Sequence, residues 1–286
     1  MLSYLVPLVA ILLFFSNPLV DYFFPSSRQS RGLSPRPALN ESLVAIETPS
    51  DAHLNCTPDA YAAHILSRSP LVVYIENFLS PTERAHLLDI SNPIFAPSDI
   101  TNDGKTTVHD PSVRLSSVAL IPRTPEVRCI EARARALQGW PEDHWVERLR
   151  TQLYEPGGHY AHHFDWRASV GGWGRVSSIM AWVQGDADDD IEGGGTEFPL
   201  LRLTGQKSRW CRFIECAEGE GKGEDEGDEV RDDEKGVTFK VKAGNAVYWE
   251  NFRPNGRGYE ETWHAGLPVK KGVKVGLNIW SSGRVE

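Results

Sequence analysis

The sequence predicts a mainly β domain of antiparallel strands, a sandwich or jelly roll with helices packed on one side. Three observations predict it. From Trp145 onward the chain runs in period-two stretches or short apolar bursts: ERLRTQLYE, RVSSIMAWVQ, TEFPLLRL, VTFKVK, NAVYWEN, ETWHAGL and VKVGLNIW, separated by Gly, Asp, Asn and Pro. No helical period alternates with these strands, which excludes a doubly wound parallel sheet. The helix signals all lie earlier, where they support a β core spanning residues 145–283.

The first element in order is apolar. Residues 1–24 open with MLSYLVPLVAILLFFSNPLV, an uncharged run that reads as a signal anchor or a signal peptide, although Pro7 and Pro18 interrupt it. The sequons Asn40-Glu-Ser and Asn55-Cys-Thr favour export. Arg28, Arg31 and Arg36 follow the apolar run with no Lys or Arg before it, and by the positive-inside rule this argues the other way. Residues 25–54, rich in Ser, Pro and Arg, read as a flexible stalk. Residues 55–144 read as an α/β support region with three helix starts. These are Thr57-Pro58 ahead of AYAAHIL, Ser80-Pro81 with Glu83 completing a capping box, and Thr124-Pro125 ahead of Val127, Ile130, Ala134 and Leu137 at helical spacing. The short strands LVVYI and VRLSSVAL lie between them.

Charge is concentrated in one tract. The chain has 30 basic and 39 acidic residues, a formal net charge of −9. Residues 215–235 hold eleven acids against three bases, are Gly-rich, and read as a solvated insertion interrupting two strands. With the remainder nearly neutral, no basic face for nucleic acid is indicated. Four cysteines without a CxxC pair exclude a disulfide scaffold and a structural zinc site.

His163-Phe164-Asp165 sits in a strand pattern, where positions i and i+2 project the same way and bring an imidazole beside a carboxylate. About one such pair arises by chance in a chain with this many histidines and acids, so the pair alone proves nothing. A second histidine gives it weight: His264 stands in TWHAGLPVKKGVKVGLNIW, where strand, Pro-to-Gly turn and strand predict a hairpin with Lys274 across from His264. Two His and one Asp leave positions on a metal open, the facial arrangement of non-heme Fe(II) oxygenases. A buried Lys ten residues on supplies the cation that a dicarboxylate cosubstrate needs.

The segment Tyr154-Glu-Pro-Gly157-Gly-His-Tyr160-Ala-His-His163-Phe-Asp165 resembles the Y-x-x-G-x-x-Y-x-x-H-x-D signature of the prolyl 4-hydroxylase family of Fe(II) and 2-oxoglutarate dioxygenases. Gly194-Gly195-Thr196-Glu-Phe198-Pro199, Lys242-Ala-Gly244-Asn-Ala246 and His264-Ala-Gly266-Leu-Pro268-Val269-x-x-Gly272-x-Lys274 follow in the family's order. The resemblance implies a double-stranded β-helix (jelly roll) core in which His163, Asp165 and His264 ligate Fe(II) and Lys274 pairs with the distal carboxylate of 2-oxoglutarate. Tyr154, Thr196 and Trp280 are its candidates for the cosubstrate pocket. Arg114 and Ser116, an R-x-S element, and Arg175 match positions near bound peptide. The resemblance also implies hydroxylation of a peptidyl substrate, above all proline, with release of succinate and CO2 and with ascorbate as a further cofactor. Asp165 fits hydroxylation, since related halogenases leave that ligand position vacant. Apart from the resemblance, the apolar start and the two sequons lead to an expected location in the endoplasmic reticulum, membrane-anchored with a lumenal domain, or in the secretory pathway if the N-terminal segment is cleaved.

Neighbouring residues read more plainly. His162 points to the opposite strand face from His163, as a packing or hydrogen-bonding residue, and His159 lies an even step away, near the mouth. Asp186, Asp188, Asp189, Asp190 and Glu192 lack the spacing of an EF-hand and read as a solvated turn. Cys211 with Cys216 suits a small disulfide in an oxidising lumen and Cys56 with Cys129 a second, one of three pairings that four cysteines permit. Two alternatives remain open at this stage: a non-catalytic jelly-roll binding module, and a 2-oxoglutarate oxygenase acting on a small molecule.

Overall fold

The computed structural model describes residues 38, 40, 42–48, 53–101, 107–139, 143–166, 172–185, 191–203, 207–216 and 236–285. The apolar segment 1–24, most of the acidic tract and the aspartates at 186–190 lie outside the described residues. The described chain builds two large antiparallel sheets and two short two-stranded ones, Glu192–Gly193 with Val269–Lys271 and Ile100–Thr101 with Thr107–Val108. The major sheet runs in the order Ala62–Arg68, Leu71–Glu76, Ala246–Glu250, Trp173–Gln184, Lys274–Arg284, Arg150–Tyr154, Ser117–Leu120 and Ala96–Pro97, with His144–Val146 alongside Lys274–Arg284. The minor sheet runs Val237–Phe239, Thr196–Phe198, His264–Gly266, His159–His163 and Arg114–Leu115.

Period two separates the two cores. On the long strand Trp173–Gln184, Ile179, Ala181 and Val183 pack with Leu87, Val127, Ile130 and Ala134 of the helices. Met180 and Trp182 face the other way and pack with Phe198, Phe213 and Phe239 between the sheets. Helix α1 (Pro81–Ser91) forms the expected capping box, with Ser80 Oγ accepting from Glu83 N and the Glu83 carboxylate accepting from Ser80 N. Helix α2 (Pro125–Leu137) starts at Thr124, whose hydroxyl accepts from Val127 N. Arg133 of α2 ties the helices together through Glu83, Asp59 and the carbonyl of Phe78. Burial would lower its pKa, but the hydrogen bonds to Glu83 and Asp59 raise it.

Three sequence expectations are corrected here. The segment after Thr57-Pro58 is not a helix: Ala62–Arg68 is a strand paired with Leu71–Glu76, because an adjacent strand offers ladder hydrogen bonds that outweigh the helix propensity of Ala. The stalk at 25–54 ends early. Val44 bridges to Glu147, Ala45 N donates to Val146 O at 2.8 Å, Arg123 Nη1 donates to Ile46 O at 3.0 Å, and Ala45 is buried, so Ser42–Thr48 belongs to the domain. VRLSSVAL splits at Ser116 into Arg114–Leu115 in the minor sheet and Ser117–Leu120 in the major one. Of the acidic insertion only Glu215 and Cys216 are described, and Cys216 closes a short loop with Cys211 after the turn at Lys207–Trp210. Both disulfides, Cys56–Cys129 and Cys211–Cys216, form as the sequence suggests.

Candidate metal centre

His163 ends the strand His159–His163, and its register partner across the minor sheet is His264, first residue of His264–Gly266. Asp165 lies two residues past the strand end, so the convergence with His163 is made by a bend rather than by strand alternation. Ligand atoms of His163, Asp165 and His264 all lie within 4.8 Å of one another. Each histidine has its Nδ1 on a backbone carbonyl, Ala161 for His163 and Thr262 for His264, both at 2.8 Å. That fixes the tautomer and leaves both Nε2 lone pairs facing Asp165, at 3.7 and 4.0 Å from its oxygens.

Aromatic walls hold the rings in place. Tyr160 stacks on His163 at 3.8 Å between centroids, while Phe198 stacks on His264 at 5.1 Å and Trp249 meets it edge-on at 5.0 Å. Burial and the neighbouring His264 hold His163 neutral, below the usual imidazole range. Burial would raise the Asp165 carboxyl, but His264 and Arg175 hold it ionised below the usual carboxylate range. Neutral imidazole and ionised carboxylate are the metal-binding forms. A borderline nitrogen and oxygen donor set with one anionic ligand suits Fe(II).

The expected hairpin joining His264 to Lys274 does not form. Gly266 and Pro268 carry the chain out of the minor sheet, Val269–Lys271 pairs with Glu192–Gly193, and Lys274 begins a strand of the opposite sheet with Tyr154 as its register partner. Lys274 is 2% exposed, donates to Gly194 O at 2.5 Å and lies 5.2 Å from the centroid of the Tyr154 ring. Burial pushes its ammonium down to about 7 and raises the Tyr154 phenol. Gly194 adopts φ +70°, and a Cβ there would stand 3.4 Å from Lys274 Cδ, so glycine lets the backbone approach the lysine stem. Two residues on, the buried Thr196 Oγ1 has no hydrogen-bond partner. A buried ammonium beside an orphaned hydroxyl fits a small dicarboxylate.

Trp280 donates its indole N–H to Asp165 Oδ2 at 2.9 Å. This places it on the candidate ligand Asp165, while Tyr154 faces Lys274 and Thr196 lies two residues from Gly194, whose carbonyl accepts from Lys274. Arg175 lies 3.9 Å over the Trp280 ring, donates through Nη1 to the Asp165 carbonyl at 3.1 Å, and is gripped by both oxygens of Glu147 at 2.9 Å. Arg114 donates to Ser116 Oγ at 3.0 Å and lies 4.7 Å over Tyr160. His162 bonds Glu197 at 2.7 Å and His159 bonds the carbonyls of Gly157 and Ser112, so both stay outside the ligand set.

The 2OG-Fe(II) oxygenase superfamily model matches residues 149–282, a span holding all three ligands and Lys274. The chain is 28% identical to prolyl 4-hydroxylase 1 of Arabidopsis thaliana over 283 residues, covering 93% of this chain and 88% of the relative. It is 26% identical to probable prolyl 4-hydroxylase 3 of the same plant over 76% of this chain and 70% of the relative. The chain is a 2-oxoglutarate- and Fe(II)-dependent oxygenase similar to the prolyl 4-hydroxylases. A viral collagen prolyl hydroxylase from Paramecium bursaria Chlorella virus-1, in its 2-oxoglutarate complex, shares the fold: TM-score 0.50, 21% identity, covering 74% of this chain and 96% of that one.

In this oxygenase several supports escaped the sequence reading. Glu147 sits between two unremarkable residues of a strand pattern and gains meaning only through Arg175. Trp166 donates to Thr262 Oγ1 at 3.0 Å and to Tyr259 O at 3.2 Å, bracing the turn whose carbonyl orients His264. Ser178 hydrogen-bonds Asp165 and accepts from Asn251 Nδ2 at 3.1 Å. Adjacency of Trp166 to the H-x-D element was the available signal for one of them.

Proposed function

We propose that this oxygenase hydroxylates proline in a peptide or protein substrate, using Fe(II) held by His163, Asp165 and His264 and 2-oxoglutarate held by Lys274. The observation that carries the reading is the co-location, between the two sheets, of a three-ligand centre with open positions and a buried ammonium beside an unsatisfied hydroxyl. When bound, iron and 2-oxoglutarate supply oxidative decarboxylation to succinate and CO2, coupled to insertion of one oxygen atom of O2 into a substrate C–H bond.

The chain's residues divide the work of holding the reactants. Lys274 binds the distal carboxylate and Thr196 Oγ donates to it. Trp280 and Ser178 hold the Asp165 carboxylate in one rotamer, and the histidine Nδ1 bonds do the same for the rings. Phe198, Trp249 and Tyr160 exclude water around the ligands, which strengthens the local electrostatics. A partly exposed triad edge at His163 leaves a way in for a peptide. Named relatives described as prolyl 4-hydroxylases support proline as the target. Ascorbate fits as the reductant that returns iron to the ferrous state.

Location in the endoplasmic reticulum, with a lumenal domain tethered through residues 1–24, is part of the proposal. Two disulfides and two exposed sequon asparagines, Asn40 and Asn55, support an oxidising compartment. The deciding experiment incubates the protein with Fe(II), 2-oxoglutarate, ascorbate and a proline-rich peptide library, followed by mass spectrometry. Oxygen added at proline is expected. Succinate formation that responds to small molecules and to no peptide would overturn the substrate class.

A further inference from the structure

Beside the metal centre the cleft carries more positive charge than its own acids neutralise. Arg150 begins the strand Arg150–Tyr154 and shares an inward face with Gln152 and Tyr154. Thr151, on the other face, bonds Ser91 of α1 at 2.8 Å, which fixes that parity. The register partner of Arg150 is Asn278, two residues from Trp280. Among the described residues no carboxylate and no side-chain acceptor takes up the Arg150 guanidinium.

Arg114, on the facing sheet, also lacks an acid: its partners are Ser116, Tyr154 and the face of Tyr160. Arg175 is committed to Glu147 and Asp165. Arg114, Arg150 and Arg175, with Arg148 two residues from Arg150, therefore gather where Glu147 and Asp165 are the acids that face them. Burial, and repulsion from Arg175, Arg114 and Arg148 against the pull of Glu147, hold Arg150 below the usual guanidinium range. In a chain of net charge −9 this is a local reversal of sign, which focuses an anionic ligand toward the cleft. A partly desolvated cation without a counter-charge is costly unless its partner arrives with the ligand.

We propose that Arg150, together with Arg114 across the cleft, binds a carboxylate of the substrate peptide, so that an acid close to the target proline determines specificity. The proposal rests on the reading of the chain as a peptidyl hydroxylase. The carboxylate could come from an Asp or Glu side chain or from the peptide's own C-terminus, and the two sources are separable.

The test uses N-acetylated, C-amidated proline peptides that differ in a single Glu, Gln or Lys within two residues of the proline, plus the Gln peptide as a free C-terminal acid. The full chain and its Arg150→Gln, Arg150→Lys and Arg150→Glu variants are compared for kcat and KM, and fluorescently labelled peptides report binding by anisotropy without turnover. The Glu peptide should exceed the Lys peptide in kcat/KM by about tenfold or more, mostly through KM, and the ratio should shrink with salt. Arg150→Gln should flatten the ratio, Arg150→Lys should restore part of it, and Arg150→Glu should reverse it. A gain by the free acid without one from the Glu peptide assigns the site to a chain terminus, and an equal gain by both upholds a carboxylate site that takes either source. Equal kcat/KM for Glu, Gln and Lys peptides, with proline hydroxylated in all, overturns the carboxylate site and leaves the proposed function standing. Arg150-dependent binding of the Glu peptide without hydroxylation upholds the site and removes proline as target. No binding and no hydroxylation of any peptide overturns both.

Discussion

Trp280 and Asp165 lie 115 residues apart and are joined by one hydrogen bond, indole Nε1 to carboxylate Oδ2 at 2.9 Å. The bond spans the two sheets, since Trp280 belongs to the major sheet and Asp165 extends the strand His159–His163 of the minor one. It sets the rotation of a carboxylate in the candidate metal centre that has no strand ladder of its own.

Replacing Trp280 by Phe keeps the ring under Arg175 and removes the donor. Fe(II) affinity should fall on the order of 10- to 100-fold, with little change in melting temperature. Metal titration of the purified domain, followed calorimetrically, reads the effect; unchanged affinity would show that Ser178 alone orients the carboxylate.

Lys274 makes cosubstrate binding depend on pH. With its folded pKa at about 7, the amine is largely neutral above that pH while the unfolded chain remains protonated. The unfolded state then binds more protons, so the cosubstrate-free protein should gain stability as pH rises from 7 toward 10 and lose it on descent through 7. Binding a dicarboxylate restores the charge, so 2-oxoglutarate should take up a proton above pH 7 and weaken as pH rises. Calorimetry in two buffers of different ionisation enthalpy measures that proton. Lys274→Met should abolish the uptake and cost cosubstrate affinity on the order of 3–5 kcal/mol, because the carboxylate is left buried and unpaired.

Thr196→Val should separate stability from binding with opposite signs. Among the described residues the hydroxyl has no partner, so its removal should leave stability unchanged or raise it by about 1 kcal/mol. Affinity for 2-oxoglutarate should drop about tenfold. A destabilised variant with intact cosubstrate affinity would show that the hydroxyl serves the fold.

The legible parts of the molecule were those written locally. His163, Asp165, His264 and Lys274 stand in ordered short motifs, and α1 and α2 announce themselves through Ser80, Glu83 and Thr124. What stayed hidden depends on a partner distant in the chain. Ala62–Arg68 looks helical by composition and becomes a strand because Leu71–Glu76 lies beside it. Lys274 looks like the return leg of a hairpin and instead crosses to the other sheet, where Tyr154 accepts it. Glu147 and Arg150 sit three residues apart with no motif around them, and their importance comes from guanidiniums brought in by Arg114–Leu115 and Trp173–Gln184.

The two disulfides should contribute unequally. Cys56–Cys129 closes 73 residues and Cys211–Cys216 closes 5, so the unfolded-chain constraint favours the first, at about 4 against about 2 kcal/mol. Urea unfolding of the paired Cys→Ser variants measures each. A larger loss from the small loop would mean that the Lys240 bond to the Cys211 carbonyl and the packing of Phe213 depend on it.

The segment Ser42–Thr48 works as a splint. It bonds Val146 and Arg148 on either side of Glu147, and Glu147 in turn steadies Arg175 under Asp165 of the candidate metal centre. Proteolytic trimming between Thr48 and Asn55 would spare every residue that touches metal, cosubstrate and the disulfides, yet it would remove the splint from the strand that carries Glu147. Shortening the N-terminal region in that interval would therefore detune the oxygenase from outside its cleft, and a fragment meant to retain full activity has to begin before Ser42.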